Sequence, residues 1–354
     1  MVELDVVRSL NSSLVQSQPL VAVFFGGTGG IGQFTLRALA AAEAKGGKGL
    51  RAYIVGRNAK AAEGILADCR AVYPQGQFKF IKANDLSLIS DVDRLCAELT
   101  ELVEKETPDP RIDYLMVSQG GMPFQPRKDT KEGIDVTMSL MYYSRMRIIT
   151  KLLPLLLNSH LPATVVSVYA AGMEKKLYAD DLSLRDLKRY SYSQARDHMC
   201  YMHTLFMESL AQQHPGKLTL IHIFPGLVIG PGFHSTELPR WFRILFHWFV
   251  LPLFGRFITV PTGECGERML SLASSERYPP RPTTDSSQSK REGAAIVGTE
   301  ETPGSGVYSL TWNGESNFKA KAYKEINKQE MRKKVWDHTM KCFEVVEAGK
   351  VFTE

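Results

Sequence analysis

The stretch FFGGTGGIGQFTLRALA (24–40) limits the fold more than any other part of the chain. Glycines at 26, 27, 29, 30 and 32 follow the apolar run LVAVFF (20–25) and open an Ala/Leu-rich run that extends to about Ala42. Such a run reads as a strand, a tight turn and a helix. Glycine lets the backbone turn sharply and approach a pyrophosphate, and the helix start supplies free N–H groups and partial positive charge. Gly26, Thr28, Gly29, Gly30, Ile31 and Gly32 are therefore candidate phosphate-binding positions.

The alternation continues along the chain. RAYIVG (51–56) precedes a helical stretch over 59–72, and FKFIKA (78–83) precedes one over 88–105. IDYLMVS (112–118) precedes a loop and a helix ending near LLPLLL (152–157). ATVVSVY (163–169), a helix from Tyr192 and LTLIHIF (218–224) complete the series. Continuous apolar strands separated by helices mark a parallel sheet covered on both faces. Right-handed crossovers make it doubly wound. The expected fold class is α/β, a doubly wound parallel sheet (Rossmann fold), as a single domain with a C-terminal lid and helical extension. The expected divisions are an N-terminal extension (1–17), a cofactor-binding and catalytic core (18–230), an aromatic-rich lid (231–275), a polar loop (276–305) and a last strand with a charged helix over 318–348 (306–354).

Composition narrows the function classes. The net charge of +5 is scattered over 354 residues, without the aromatic-interleaved basic stripe of a nucleic-acid binder. Five widely spaced cysteines without C-x-x-C argue against a disulfide framework or zinc site and fit a reducing, cytoplasmic setting. The first 20 residues lack a basic region followed by an apolar one, so no signal peptide is expected. No G-x-S-x-G, paired carboxylates or ligand-spaced histidines stand out, so neither a nucleophile system nor a metal site is expected.

The second strand ends in IVGRN, with Arg57 where an NAD-selective site places an acid for the ribose 2′-OH, and Lys60 nearby. A guanidinium suits a 2′-phosphate, so the expected cofactor is NADP(H).

Together these motifs resemble the short-chain dehydrogenase/reductase family over roughly residues 18–275. GGTGGIG is similar to its G-x-x-x-G-x-G loop through Gly26, Gly30 and Gly32. NDLSL (84–88) places Asp85 where the family touches adenine, and Ser118-Gln119-Gly120-Gly121 stands in place of N-N-A-G. YSQAR (192–196) resembles Y-x-x-x-K, and FPGLVIG (224–230), with Pro225, Gly226 and Val228, resembles the P-G motif over the nicotinamide. DDLSL (180–184) and the C-terminal segment resemble the retinol-dehydrogenase-like and fungal secondary-metabolite branches. The resemblance implies that Tyr192 is the acid/base and that Arg196 takes the place of the lysine. The serine position falls at Tyr169 or Ala170, and the asparagine position near Met141. Gln119, Gly120, Tyr192 and Arg196 are implied cofactor contacts.

Residues four apart on a helix share a face, so Tyr192 and Arg196 can reach one site. A cation within ~4–6 Å lowers a phenol's pKa by roughly 1–3 units. Arginine supplies that field but cannot relay a proton. Tyr169 is the first candidate to hold the substrate oxygen and Ser167 the second; Tyr142, Tyr143 and His198 are weaker. The expected activity is NADPH-dependent reduction of a bulky apolar ketone or aldehyde from secondary metabolism. The alternatives are an isomerase or cyclase with NADP(H) partly structural, and a non-catalytic NADP(H)-binding regulator.

Between residues 241 and 257 lie two tryptophans and five phenylalanines, interrupted by Arg243, His247, Pro252 and Arg256. A membrane span needs ~20 uninterrupted apolar residues, so none is expected. The segment reads as a lid for a large apolar substrate, a peripheral membrane contact through 238–257, or a homodimer interface.

Overall fold

The computed structural model describes residues 1–121, 125–230, 240–283 and 295–354. Seven strands form one parallel sheet: β1 (Leu20–Phe25), β2 (Leu50–Gly56), β3 (Gln77–Lys82), β4 (Tyr114–Val117), β5 (Ala163–Val168), β6 (Leu218–Phe224) and β7 (Val307–Thr311), ordered β3-β2-β1-β4-β5-β6-β7. The expected α/β doubly wound sheet is present. Its central strands are apolar throughout because both faces are covered: Val21, Val23 and Phe25 of β1 enter one core, and Leu20, Ala22 and Phe24 enter the other.

The first core is closed by α4 (Ile89–Glu106), α6 (Ser144–Lys151), α8 (Tyr192–Gln213) and α13 (Lys328–Glu347). The second is closed by α1 (Leu4–Ser17), α2 (Gly30–Glu43), α3 (Ala59–Val72) and α11 (Thr262–Ser271). The N-terminal extension is thus largely α1, which buries Val7 and Val15 and bonds Asn11 Nδ2 to the Glu267 carbonyl (2.9 Å).

Two departures from regular helix matter. The helix after β4 begins as α5 (Val136–Met138), passes through a π turn at Ser139–Tyr143 and continues as α6, followed by α7 (Leu153–Leu157). The helix expected over 318–348 is two helices, α12 (Ala320–Lys324) and α13, broken before Lys328. Asn327 there takes the left-handed conformation (φ +47°), which Asn tolerates better than most residues. The break lets Lys328 reach the buried Glu208 of α8 (2.6 Å) while its ammonium lies 5.0 Å from the centre of the Phe318 ring. Tyr142 and Tyr143 serve the same docking: their hydroxyls meet Thr339 (2.7 Å) and His338 (2.8 Å) of α13.

Beyond β6, the aromatic segment forms α9 (Arg240–Leu245), a π turn (Phe246–Val250) and α10 (Leu251–Ile258). Of the expected lid, 231–239 lies outside the described residues, as does 284–294 of the expected polar loop. A cavity of about 200 Å³ lies at the amino ends of the strands, beside Leu20, Tyr114 and Thr164, which is the end of the sheet opposite the expected cofactor cleft.

α11 packs so closely on α2 that a Cβ at Gly266 would sit 2.3 Å from the Phe34 carbonyl oxygen, whereas one at the exposed Gly263 meets nothing within 4 Å. Gly266→Ala is expected to cost about 1–3 kcal/mol in urea unfolding, and Gly263→Ala to stay within about 0.5 kcal/mol of the parent. Equal effects of the two would contradict this packing.

Candidate active site

The site lies at the carboxyl ends of β1, β4 and β5, where crossovers leave β1 and β4 toward opposite faces. The Gly-rich turn is built for close approach. Gly26 has φ +85°, and a Cβ there would fall 2.6 Å from the Gln119 backbone N. A Cβ at Gly32 would fall 2.8 Å from the Gly26 carbonyl oxygen. Gly30, at φ +55°, faces open space, and no side chain caps the start of α2, so its first N–H groups are available to an anion. Thr28 packs against Gly56 at the end of β2, since a Cβ on Gly56 would meet its hydroxyl at 2.5 Å. Ile31 is half-buried and accepts from the Thr35 hydroxyl (2.9 Å).

The remaining expected cofactor positions surround this turn. Arg57 and Lys60 are exposed just after β2 and form no ion pair among the described residues, while Asn58 between them caps α3 through Ala61 N (3.0 Å). Asp85 Oδ1 accepts from Ser87 N and Oγ (2.9 and 2.7 Å). Gln119 is buried; its Nε2 donates to Ser144 Oγ (3.2 Å), and its Oε1 has no partner among the described residues. A Cβ on Gly120 would lie 3.5 Å from the Met141 methyl, so a thioether stands where the family resemblance implied an asparagine. Pro225, Gly226 and Val228 lie on the loop after β6, which is tied to the end of the aromatic segment by Val260 N donating to the Leu227 carbonyl (2.9 Å). That loop closes on the Gly-rich turn: a Cβ on Gly230 would lie 3.4 Å from Gly30 Cα. Free helix N–H groups, an open left-handed glycine and an orphaned buried amide oxygen fit a dinucleotide laid across the cleft.

Tyr192 opens α8, whose N-cap Ser191 accepts from Gln194 N (3.1 Å). Arg196, one turn on, is half-buried and donates to the neighbouring Asp197 carboxylate (2.9 Å). Tyr169, just past β5, meets Tyr192: the Tyr169 hydroxyl lowers the Tyr192 pKa through hydrogen bonding. Yet the Tyr169 oxygen is buried without a partner of ordinary hydrogen-bond geometry among the described residues. The two phenols are thus in reach of one another, and the Tyr169 O–H can serve an oxygen placed beside it. Burial holds both phenols above their usual pKa, Tyr169 strongly so, and this outweighs the opposing pull of Arg196 on each. The expected lowering of the Tyr192 pKa is therefore reversed in the chain alone. Desolvation disfavours the phenolate, and Asp197 offsets much of the Arg196 charge.

Ser167, the second candidate for the oxygen, points beneath the site. It accepts from Arg145 Nη1 (3.0 Å) and donates to His203 Nε2 (3.1 Å), whose other ring nitrogen, Nδ1, must donate to the Met199 carbonyl (2.7 Å). His198 is also taken, by Tyr178 N (3.0 Å) and the Leu182 carbonyl (3.3 Å). Tyr169, His203 and His222 stack in turn, with the two imidazoles 4.5 Å apart. Burial pulls the His203 pKa down to about 3 and that of His222 well below its usual range, so both rings are neutral.

Sequence reasoning missed Arg145. Its signal was an arginine at helical spacing with Tyr142, Ile148 and Ile149, all fully buried.

No protein-family model matches the chain. The "Short-chain dehydrogenase/reductase SAT2" of Stachybotrys chartarum is 36% identical over 352 residues, covering 97% of each chain. The "Oxidoreductase AN1596" of Emericella nidulans is 36% identical over 340 residues (96% of this chain, 97% of that one). The "Oxidoreductase andH" of Emericella variicolor is 32% identical over 98% of each. Among solved structures, the RhlG/NADP active-site complex of Pseudomonas aeruginosa covers 73% of this chain and 91% of its own at TM-score 0.51 and 22% identity. An NADP-bound 3-oxoacyl (acyl-carrier-protein) reductase from Agrobacterium tumefaciens covers 74% and 90% at TM-score 0.53 and 17% identity, a likeness of fold.

Two glycines separate stability from ligand access. Gly30→Ala puts a methyl into open space at a left-handed φ, so it is expected to cost roughly 1–2 kcal/mol and to weaken dinucleotide binding in a folded protein. Gly26→Ala adds a backbone clash and is expected to lose more stability than Gly30→Ala. Calorimetric titration with pyridine nucleotides, beside urea unfolding, checks both. With the Gly-rich turn, the 3-2-1-4-5-6-7 sheet, the tyrosine opening α8 and near-full-length fungal relatives, the chain belongs to the short-chain dehydrogenase/reductase family.

Proposed function

We propose that the chain is an NADPH-dependent carbonyl reductase acting on a bulky apolar ketone or aldehyde of fungal secondary metabolism. The observation that carries this reading is the meeting of Tyr169 and Tyr192 beside Arg145 and Arg196, at the strand ends next to the Gly-rich turn. The relatives, named as oxidoreductases or as a short-chain dehydrogenase/reductase, support the chemistry, and the NADP bound to the two fold neighbours supports the cofactor. Arg57, exposed and without an ion-pair partner among the described residues, would take the 2′-phosphate. Asp85 keeps Oδ2 for the adenine, and the first turn of α2 would hold the pyrophosphate.

The reduced nicotinamide supplies hydride when bound. Tyr192 gives its proton to the carbonyl oxygen as charge develops there, while Tyr169 donates a hydrogen bond to that oxygen. Arg196 favours the resulting phenolate but cannot relay a proton, so reprotonation would have to come from solvent or from a ribose hydroxyl of a bound cofactor. Alcohol oxidation uses the same groups in reverse.

The aromatic segment would wall the substrate, since its end is bonded to the loop over the cofactor cleft. Its outer side bears Trp241, Ile244, Leu245, Trp248 and Phe249, all about half or more exposed and spaced i, i+3, i+4, i+7, i+8. No acid lies between Glu237 and Glu264. Such a face suits the headgroup boundary of a bilayer, so we read 238–257 as a peripheral membrane contact as well as a wall, in a chain we propose to be cytoplasmic. No helix among the described residues is long and apolar enough to cross a membrane. A homodimer would be the competing use of this face.

The loss of the lysine and the intrusion of Met141 favour one second reading, an isomerase or cyclase in which NADP(H) is partly structural. Tyr192→Phe is expected to lower kcat at least ~100-fold, the scale of general acid catalysis, with NADPH binding retained. Product formed without NADPH oxidation would favour the second reading, and binding without turnover on a broad carbonyl panel would leave a regulator. Arg57→Glu is expected to weaken NADPH binding by more than about tenfold, the scale of a charge-assisted hydrogen bond, and to spare NADH. Tighter binding of NADH than NADPH by the parent protein would overturn the cofactor assignment.

A further inference from the structure

Arg145 is fully buried, yet no carboxylate among the described residues touches it. Its Nη2 donates to the Gln119 carbonyl beyond β4, and its Nη1 donates to the Val168 carbonyl at the end of β5 (2.7 Å) and to Ser167 Oγ (3.0 Å). Its Nε has no partner among the described residues. The guanidinium carbon lies 5.7 Å from the centre of the Tyr169 ring. A buried charge is expensive unless an opposite charge or a ring of hydrogen bonds compensates it, and buried ions normally come paired.

The groups around Tyr169 make the imbalance plain. From α8 come Tyr192, Arg196, Cys200 and the neutral His203; from β6 comes the neutral His222; from α6 comes Arg145. The Asp197 carboxylate beside this cluster is ion-paired with Arg196 (2.9 Å). Glu174 lies near Cys200 and accepts from the Tyr323 hydroxyl (3.1 Å), and burial raises its pKa above the ordinary carboxylate value. Among the described residues Arg145 itself meets only neutral acceptors, so its charge lies uncompensated by a directly bonded carboxylate beneath the Tyr169 phenol.

We propose that Arg145 charges an oxyanion site whose contact atom is the Tyr169 hydroxyl, and that the ligand it is built for is an oxygen carrying negative charge: the alkoxide developing on a reduced carbonyl, or a phenolate or enolate resembling it. This rests on the reductase reading for the alkoxide but not for the site itself. A cation over the face of a phenol draws electron density from the ring and makes its O–H a stronger donor. Arg145 touches neither substrate nor cofactor; it is a positioning residue acting through Tyr169 and through the two strand ends that it ties together. The loss of the family serine is thereby offset from below the sheet.

The test uses 4-nitrophenol, whose ionisation is read by absorbance, titrated with the full-length protein in the presence of NADP⁺. The parent protein is expected to bind the phenolate and lower the probe's pKa by about one unit, the low end of what a nearby cation does. Arg145→Met should abolish the shift, Arg145→Lys should keep most of it, and Tyr169→Phe should behave like Arg145→Met, while thermal melting shows each variant folded. In turnover, Arg145→Met should lower kcat ~10–100-fold, less than or equal to the loss of an oxyanion donor, with KM little changed. If the probe does not bind, or if its pKa shifts equally in the parent protein and Arg145→Met, the proposal is overturned. Should Arg145→Met unfold, the other two variants still decide it: loss of the shift in a folded Arg145→Lys, or an undiminished shift in Tyr169→Phe, would overturn the proposal. A persistent shift in a protein that reduces no carbonyl would sink the reductase reading and leave the oxyanion site standing.

Discussion

A parallel sheet buried on both faces leaves only its strand ends for chemistry, and the rest of this molecule depends on how one pair of ends is kept apart. At β1 and β4 the chain departs toward opposite faces, so the crossovers diverge and open a cleft. The cleft stays narrow because Gly26 lies against the Gln119 backbone with no room for a Cβ. Every element of the site is referred to that contact. The turn carries the start of α2, Gln119 carries an acceptor for Arg145, and the loop after β6 comes down upon Gly30.

Within that frame, burial and charge oppose each other. Two phenols brought together in a dry site become poor acids, and the guanidinium on their own helix is half neutralised by Asp197. A lysine in place of Arg196 would have been a proton relay as well as a charge. The arrangement leaves an excess cation beneath the phenols, and burial pulls even that arginine's pKa down to about 10. A site so biased is at its least stable when empty of negative charge and relaxes as an oxyanion forms, which is the condition for favouring a transition state over a ground state.

The strands were legible because burial on two faces writes itself as unbroken apolar runs, and the Gly-rich turn because a close backbone approach excludes other residues. Tyr192, Arg196 and Tyr169 could be singled out by spacing and family likeness, and they do come together. What was illegible depends on three-dimensional burial. Nothing in YSQARDH states that desolvation outweighs Arg196, although Asp197 stood next to it in plain view. Arg145 reads as an ordinary charge in SRMRII until both neighbouring strand ends are seen to point carbonyls at it. The break at Asn327 is matched to Glu208, a residue more than 100 positions away, whose buried carboxylate Lys328 reaches.

The π turn at Ser139–Tyr143 links these points. A π turn holds one residue more than an α turn, and each residue of a regular helix advances the side chain by about 100°. A regular helix through the same segment would carry Arg145 roughly that far around the axis, away from the carbonyls of Gln119 and Val168. It would also move Met141 off Gly120. The irregular turn therefore does two things at once: it presses an apolar thioether against the loop where the family resemblance implied an asparagine, and it aims an arginine under the tyrosine that follows β5. Losing a polar group above the sheet and gaining a cation below it are two consequences of one local change in helix geometry.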